Sequence, residues 1–260
     1  MPLRPRKILF RVSRAAGLAA ILLFLPANLL ADTNASNIVC RSSLALERRE
    51  ELARRLRKIT GWSDLRFDRS GALRLGTTNP VGGSKKAREL LSQAVMGGTA
   101  VVLEDASKSA DVAFCQVLPG KWKANVPDNR PAFVVRIDFA DFENVLGDER
   151  ALQSFDAGWG LLHELDHVVN NSLDATCLGD PGECEAHINE MRRECGLPQR
   201  AEYFHTYSPL TVNSAFITRL VQLSFEQEEE SSGKKKRYLL VWDAMLVGGI
   251  TENKKIAVLR

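Results

Sequence analysis

The chain has little of what would mark a membrane protein, a repeat protein or a cysteine-ligated metal domain. Residues 15–25 form an apolar run of eleven, against the roughly 20 that a transmembrane helix needs. There is no internal repeat, which excludes a solenoid or an array, and no long low-complexity segment. No two of the five cysteines have CxxC spacing, so they are not assigned to a metal. Excess charge is also scarce. Lys and Arg number 35 against 32 Asp and Glu, a net charge of +3. Arg4, Arg6, Lys7, Arg11 and Arg14 precede the apolar run with no acid among them. Without those five the balance is 30 against 32, a net charge of −2. The basicity belongs to the leading segment, and no nucleic-acid partner is expected.

A basic segment, a short apolar run and then Pro26 read as a secretory signal over residues 1–31, with cleavage near Ala31 or Ala35. The expected product is exported, periplasmic or secreted, and touches a membrane only through that signal. Export permits disulfides. Cys177 and Cys184, on either side of a Gly-Asp-Pro-Gly turn, are the local pair expected, and the odd count leaves at least one thiol over.

With 45% hydrophobic residues, the remainder can bury a real core. Helical periodicity is expected at 42–60, stopped by Gly61, and at 84–96, capped by Ser84 and ended by Gly97-Gly98. A hairpin is expected across Ser70-Gly71, with strands at 100–104, 111–118 and 132–139. Further helices are expected at 151–170, 183–195 and 214–225. Strands that pair with each other are expected at 238–246 and 255–259. Residues 228–237, a two-sign charge run, read as a solvated turn. The order implies an α+β fold over residues 36–260, one domain with a C-terminal helix and strand cap at 210–260.

The chemistry is concentrated in His163-Glu164-Leu165-Asp166-His167. On a helix, i and i+4 lie one above the other, so His163 and His167 can grip one metal ion, expected to be Zn²⁺. Glu164 stands where it can take a proton from the attacking water, the role of a general base. A catalytic zinc takes three protein ligands and keeps one position open. Candidates for the third lie on the next helix, where Glu183, His187, Glu190 and Glu194 share a flank. Arg200, Tyr203, His205 and Tyr207, after the Gly196-Leu197-Pro198 turn, are candidate donors to an oxyanion. Arg192 and Arg200 are expected to pair with a carboxylate and lock that helix to its turn.

Two resemblances refine the third ligand. Asn189-Glu190 with Glu194 four residues on resembles the NExxxD element of thermolysin-like zincins, which implies Glu190 as ligand and Glu194 as the residue orienting a zinc histidine. Glu stands here where that element has Asp. Separately, Val135-Arg136-Ile137-Asp138, the HExxH helix, Glu183 and Asn189-x-x-Arg192-x-Glu194-x-Gly196-Leu197-Pro198-x-Arg200 resemble metallopeptidase domains at the ends of bacterial polymorphic toxins and related effector proteases. The likeness spans roughly residues 85–207 and implies Glu183, or after it Glu185, as ligand. Glu183 and Glu190 stand level, with His187 behind. The expected context, a signal segment ahead of one compact domain, departs from the toxin pattern, in which a delivery module is found.

Together these imply a zincin-like fold, a small twisted sheet packed on the HExxH helix and a second ligand-bearing helix. Residues 132–139 are the expected edge strand holding an extended substrate. The expected function is an exported zinc-dependent metallohydrolase, a peptidase acting on a peptide or protein. The alternatives are a metal-stabilised binding or structural protein without turnover, and an amidase of cell-wall amide bonds.

Overall fold

The structure is a computed structural model that describes residues 36–107, 109–121, 131–207, 220–229, 232–247 and 256–257. The expected signal segment lies outside them. Every element below belongs to one compact unit, Asn34–Arg260. Among the described residues, no helix is long and apolar enough to cross a membrane.

Strand β1 (Ile38–Cys40) leads into helix α1 (Leu46–Thr60), the hairpin β2 (Arg66–Phe67) and β3 (Leu73–Arg74), and helix α2 (Lys85–Met96). Helix α1 buries Leu52, Leu56 and Ile59, four and three residues apart, and ends at Gly61 in the left-handed region. In α2 the Ser84 hydroxyl accepts from Ala87 N and satisfies one of the free amides of the first turn. Strands β4 (Ala100–Asp105), β5 (Cys115–Pro119) and β6 (Ala132–Ile137) complete a four-stranded sheet in the order β1-β4-β6-β5. The first three strands in that order are parallel, while β5 runs antiparallel to β6. The interior position of β4 explains its unbroken apolar run, buried from Ala100 to Leu103.

This order corrects one expectation. β6, within residues 132–139, lies between β4 and β5, so it is not the edge. The strands at the two edges are β1 and β5, and among the described residues β5 pairs only with β6.

Short helix α3 (Phe139–Glu143), strand β7 (Leu146–Gly147) and helix α4 (Glu149–Gln153) precede α5 (Ala157–Asn170), which carries HExxH. The single helix expected from residue 151 is two. Asp156 has extended backbone, and its carboxylate accepts from Gly158 N and Trp159 N, starting a new helix there. Trp159, Leu161, Leu162 and Leu165 anchor α5 in the core. Each fully buried side chain of this kind contributes about 1.5–3 kcal/mol. Gly160 allows close approach to the edge strand: a Cβ there would lie 2.7 Å from Cys115 Sγ and 3.0 Å from Phe142 Cζ.

Helix α6 (Gly182–Glu194) buries Cys184, Ile188 and Met191 against the same core. Beyond it, β8 (Gln199–Arg200), β9 (His205–Tyr207), β10 (Leu220–Glu228), β11 (Lys235–Asp243) and β12 (Ile256–Ala257) join β7 in a second sheet. Its core holds Val221, Leu223, Phe225, Leu240 and Trp242.

Two C-terminal expectations change here. The helix expected at 214–225 is strand over its described part, from Leu220. Val221, Leu223 and Phe225 alternate with Gln222, Ser224 and Glu226, a period of two that buries one face of a strand. β12 pairs with β9, not with β11. The charged run 228–237 straddles the β10–β11 turn, where Glu226 pairs with Arg237 at 2.8 Å.

Candidate metal centre

His163 and His167 project from adjacent turns of α5, and their Nε2 atoms come within 3.2 Å of each other. Each ring has its other nitrogen occupied. His167 Nδ1 is 2.8 Å from the Ser172 carbonyl oxygen. His163 Nδ1 is 3.3 Å from Glu185 Oε2. An Nδ1–H donated to these acceptors leaves both Nε2 lone pairs facing one point, the tautomer a metal requires.

A third donor meets them there. Asp174 Oδ1 lies 3.1 Å from His163 Nε2 and 3.4 Å from His167 Nε2. Four donors set tetrahedrally at zinc bond lengths of about 2.0–2.1 Å stand about 3.3–3.4 Å apart, so the triangle fits one such ion. Asp174 is placed by the turn after α5. Asn171 takes φ +54°, reversing the chain, and Asp174 forms a β-bridge with Gly182. Gly182, at φ +79°, has no room for a side chain, since a Cβ would lie 2.3 Å from Ala175 N. Tyr203 Oη donates to the second Asp174 oxygen at 2.5 Å, and its ring stacks on His163 at a centroid distance of 6.2 Å.

Cys184 is the other nearby donor. Its Sγ is within 4.8 Å of donor nitrogens of both histidines, but it is fully buried and donates to the His163 carbonyl at 3.3 Å. Asp174 makes the tighter triangle and is the better third ligand.

The electrostatics favour a cation at this point. Burial opposes charge on both histidines, yet Asp174 and Cys184 raise the pKa of His163 well above its ordinary value and push that of His167 up to about 10. Burial would raise the Asp174 carboxyl, but the two histidines and Tyr203 hold it well below the usual carboxylate range. Glu185 is likewise held low against its burial, by Arg192 and Arg200. The carboxylates facing the two imidazoles make a negative field at the donors' meeting point, which suits a bound cation.

Glu164 is 8% exposed and lines the same cavity as the histidines and Asp174. That cavity, about 220 Å³, runs along Cys115, Gln116 and Val117 of the edge strand β5.

The acids proposed on α6 lie elsewhere. Glu190 is ion-paired with Lys86 of α2, and Glu183 reaches the Leu173 amide at 3.4 Å on the exposed side. Neither lines the cavity. The reason is rotational: at about 100° per residue, Glu185 stands nearly opposite Glu183 and Glu190 on α6, and it is Glu185 that is 1% exposed and meets His163. Glu194 accepts from Ser84 Oγ at 2.6 Å and Lys86 N at 3.0 Å, holding the start of α2 rather than a histidine. His187 binds Asp166 Oδ2 at 2.9 Å instead, and neither residue lines the cavity. Arg192 and Arg200 do pair with a carboxylate, both with Glu185, Arg200 at 3.1 Å. Of the proposed oxyanion donors, Arg200 and Tyr203 line the cavity, while the side chains of His205 and Tyr207 are outside the described residues. All five cysteines are free, with Cys177 exposed and Cys184 buried, so the expected pair is not formed.

Reasoning from sequence missed Asp174 and the Ser172 carbonyl. The one signal was position: Asp174 is the first acid after the HExxH helix.

No protein family, curated protein or solved structure matches the chain.

Proposed function

We propose that the chain is a zinc-dependent metallohydrolase, a peptidase of zincin-like type, working outside the cytoplasm after loss of its leading segment. The convergence of His163 Nε2, His167 Nε2 and Asp174 Oδ1 within 3.1–3.4 Å carries this reading. These three would hold the ion, with Asp174 taking the place first assigned to Glu183 or Glu190. Glu185, the Ser172 carbonyl and Tyr203 orient the three donors. A helix bearing the histidines beneath a sheet whose antiparallel edge strand borders the cavity supports the zincin-like assignment.

Zinc supplies Lewis acidity at such a site, polarising a carbonyl and acidifying water. Glu164 takes the proton of the attacking water and returns it to the leaving amine, the part of a general acid–base. The β5 edge offers backbone groups to an extended peptide, and Gly160 keeps α5 close beneath it. Tyr203 commits its hydroxyl to Asp174 and so fixes that carboxylate.

Glu164→Gln tests the reading. The variant should keep zinc and lose about 10²–10⁴-fold in peptide cleavage. Unchanged cleavage by a folded, zinc-loaded variant would remove Glu164 from the mechanism.

One observation favours a second reading, a closed structural zinc site without turnover: Cys184 stands near enough to be considered as a fourth ligand. Cys184→Ala separates the two. A structural site loses its zinc, whereas the hydrolase keeps it.

A further inference from the structure

Two guanidiniums line the cavity, and one of them has a nitrogen that their pairing with Glu185 leaves unused. Arg192 on α6 and Arg200 on β8 both line it, with side chains 3% and 9% exposed. Two guanidiniums face one carboxylate, Glu185. Arg200 is engaged at all three nitrogens, by the Glu202 carbonyl, Glu185 and the Tyr203 carbonyl. Arg192 is not. Its Nε donates to the Ser154 carbonyl at 2.9 Å, and its Nη1 to Glu185 and to Asn189 Oδ1. Among the described residues, no hydrogen bond uses its Nη2, and that nitrogen is not sealed into the core. The guanidinium carbon lies 5.4 Å from the Trp159 ring centroid and 5.5 Å from that of Phe225, so the group is held rigidly.

The charges around the cavity point the same way. Three carboxylates, Glu164, Asp174 and Glu185, stand against two guanidiniums, and histidines that hold a metal are neutral, so these groups sum to one negative charge. A divalent ion on the three donors turns this into one positive charge. A bound carboxylate would neutralise it and give Arg192 Nη2 an acceptor. Guanidinium and carboxylate are matched in geometry, and a charge-assisted bond in an enclosed site is strong.

We infer that this cavity recognises an acidic peptide, with a substrate carboxylate seated on Arg192. The inference rests on the peptidase reading and specifies its substrate class. The carboxylate can be an Asp or Glu side chain or a free C-terminus, and the test distinguishes them.

The full chain carrying Glu164→Gln, saturated with zinc, would be dialysed against three N-acetylated hexapeptide pools. The first has Glu at a fixed position and an amidated C-terminus. The second has Gln at that position and the same amide. The third has Gln and a free C-terminus. Bound peptides are counted by mass spectrometry and zinc by elemental analysis. The first pool should bind about tenfold tighter than the second or better, as expected for a hydrogen bond to a charged group. Tighter binding of the third pool instead would support the same carboxylate site and make the C-terminus its ligand. Arg192→Lys, which keeps the charge and loses the free nitrogen of the fork, should shrink whichever preference is seen. The pool comparison needs no Arg192 variant, so misfolding of that variant leaves the test intact. Equal binding of all three pools, or none, by zinc-loaded protein overturns the inference while the metal site stands. Absence of zinc overturns the peptidase reading, and this inference with it.

Discussion

Residues 171–181 and helix α6 approach the same two imidazoles from different sides and with different chemistry. The loop is irregular and exposes Leu173 and Leu178, yet it delivers Asp174 Oδ1 and the Ser172 carbonyl to the ring nitrogens. The helix is regular and rich in acids, yet only one of them, Glu185, reaches a histidine, and it does so at Nδ1, the nitrogen turned away from the donors' meeting point. A helix distributes its side chains around a cylinder at 100° steps, so most of a run of acids must face away from any one target. A loop held at both ends, here by Asn171 in the left-handed region and by the bridge to Gly182, can aim a single carboxylate. Motif-based reasoning favours helices because their spacing is readable, and it underweights loops for the same reason.

Metal content separates the loop from the helix most sharply. Asp174→Ala in the full chain should reduce zinc from about one ion per chain to near none, whereas Glu190→Gln and Glu183→Gln should leave it unchanged. The opposite pattern, read by elemental analysis after dialysis, would return the third ligand to the helix.

Glu185→Gln should weaken zinc binding about 10–100-fold, the usual consequence of losing an orienting partner. It should also destabilise the fold by about 3–5 kcal/mol, because two buried guanidiniums lose their carboxylate. Competition with a chelator measures the first effect and thermal unfolding of the metal-free protein the second. A loss of zinc affinity without a loss of stability would contradict the buried triad.

Tyr203→Phe deletes the hydroxyl that donates to Asp174 and should cost about tenfold in zinc affinity. An unchanged affinity would mean that the loop holds Asp174 unaided.

The smallest effect lies far from the histidines and serves as a control. Asp68 in the hairpin is partly buried, which alone would raise its pKa. Hydrogen bonds from Ser70, Arg74 and the Ala72 amide nevertheless hold it down to about 2. Because the folded value is depressed, its stabilisation is present above the unfolded pKa near 4 and disappears as pH falls toward 2. Allowing for solvent screening, Asp68→Asn should cost about 1 kcal/mol at pH 7 and almost nothing at pH 2, with zinc content at pH 7 unchanged. A zinc loss in this variant would show that metal binding merely follows global stability.

Much of the fold was legible in local patterns. Leu52, Leu56 and Ile59 on α1, the Ser84 cap of α2, and Cys184, Ile188 and Met191 on α6 lie buried or capped where periodicity and capping chemistry put them. The failures were equally local. At β10, Val221, Leu223 and Phe225 have a period of two, and a helix was nevertheless expected. Before α5, the Asp156 cap interrupts what looked like one continuous helix. The strand order was not legible, because nothing local to β5 and β6 says which of them has a neighbour on both sides.

By itself, the sequence determined an α+β chain and a helix that stacks two histidines and sets Glu164 beside them, because spacing along a helix is a local property. Only the tertiary structure decided that Asp174 meets the two Nε2 atoms, that Glu185 meets His163 from behind, and that β5 rather than β6 lies at an edge. Those outcomes depend on how the chain reverses at Asn171 and on which face of α6 packs against α5, and both are settled by packing of residues distant in sequence.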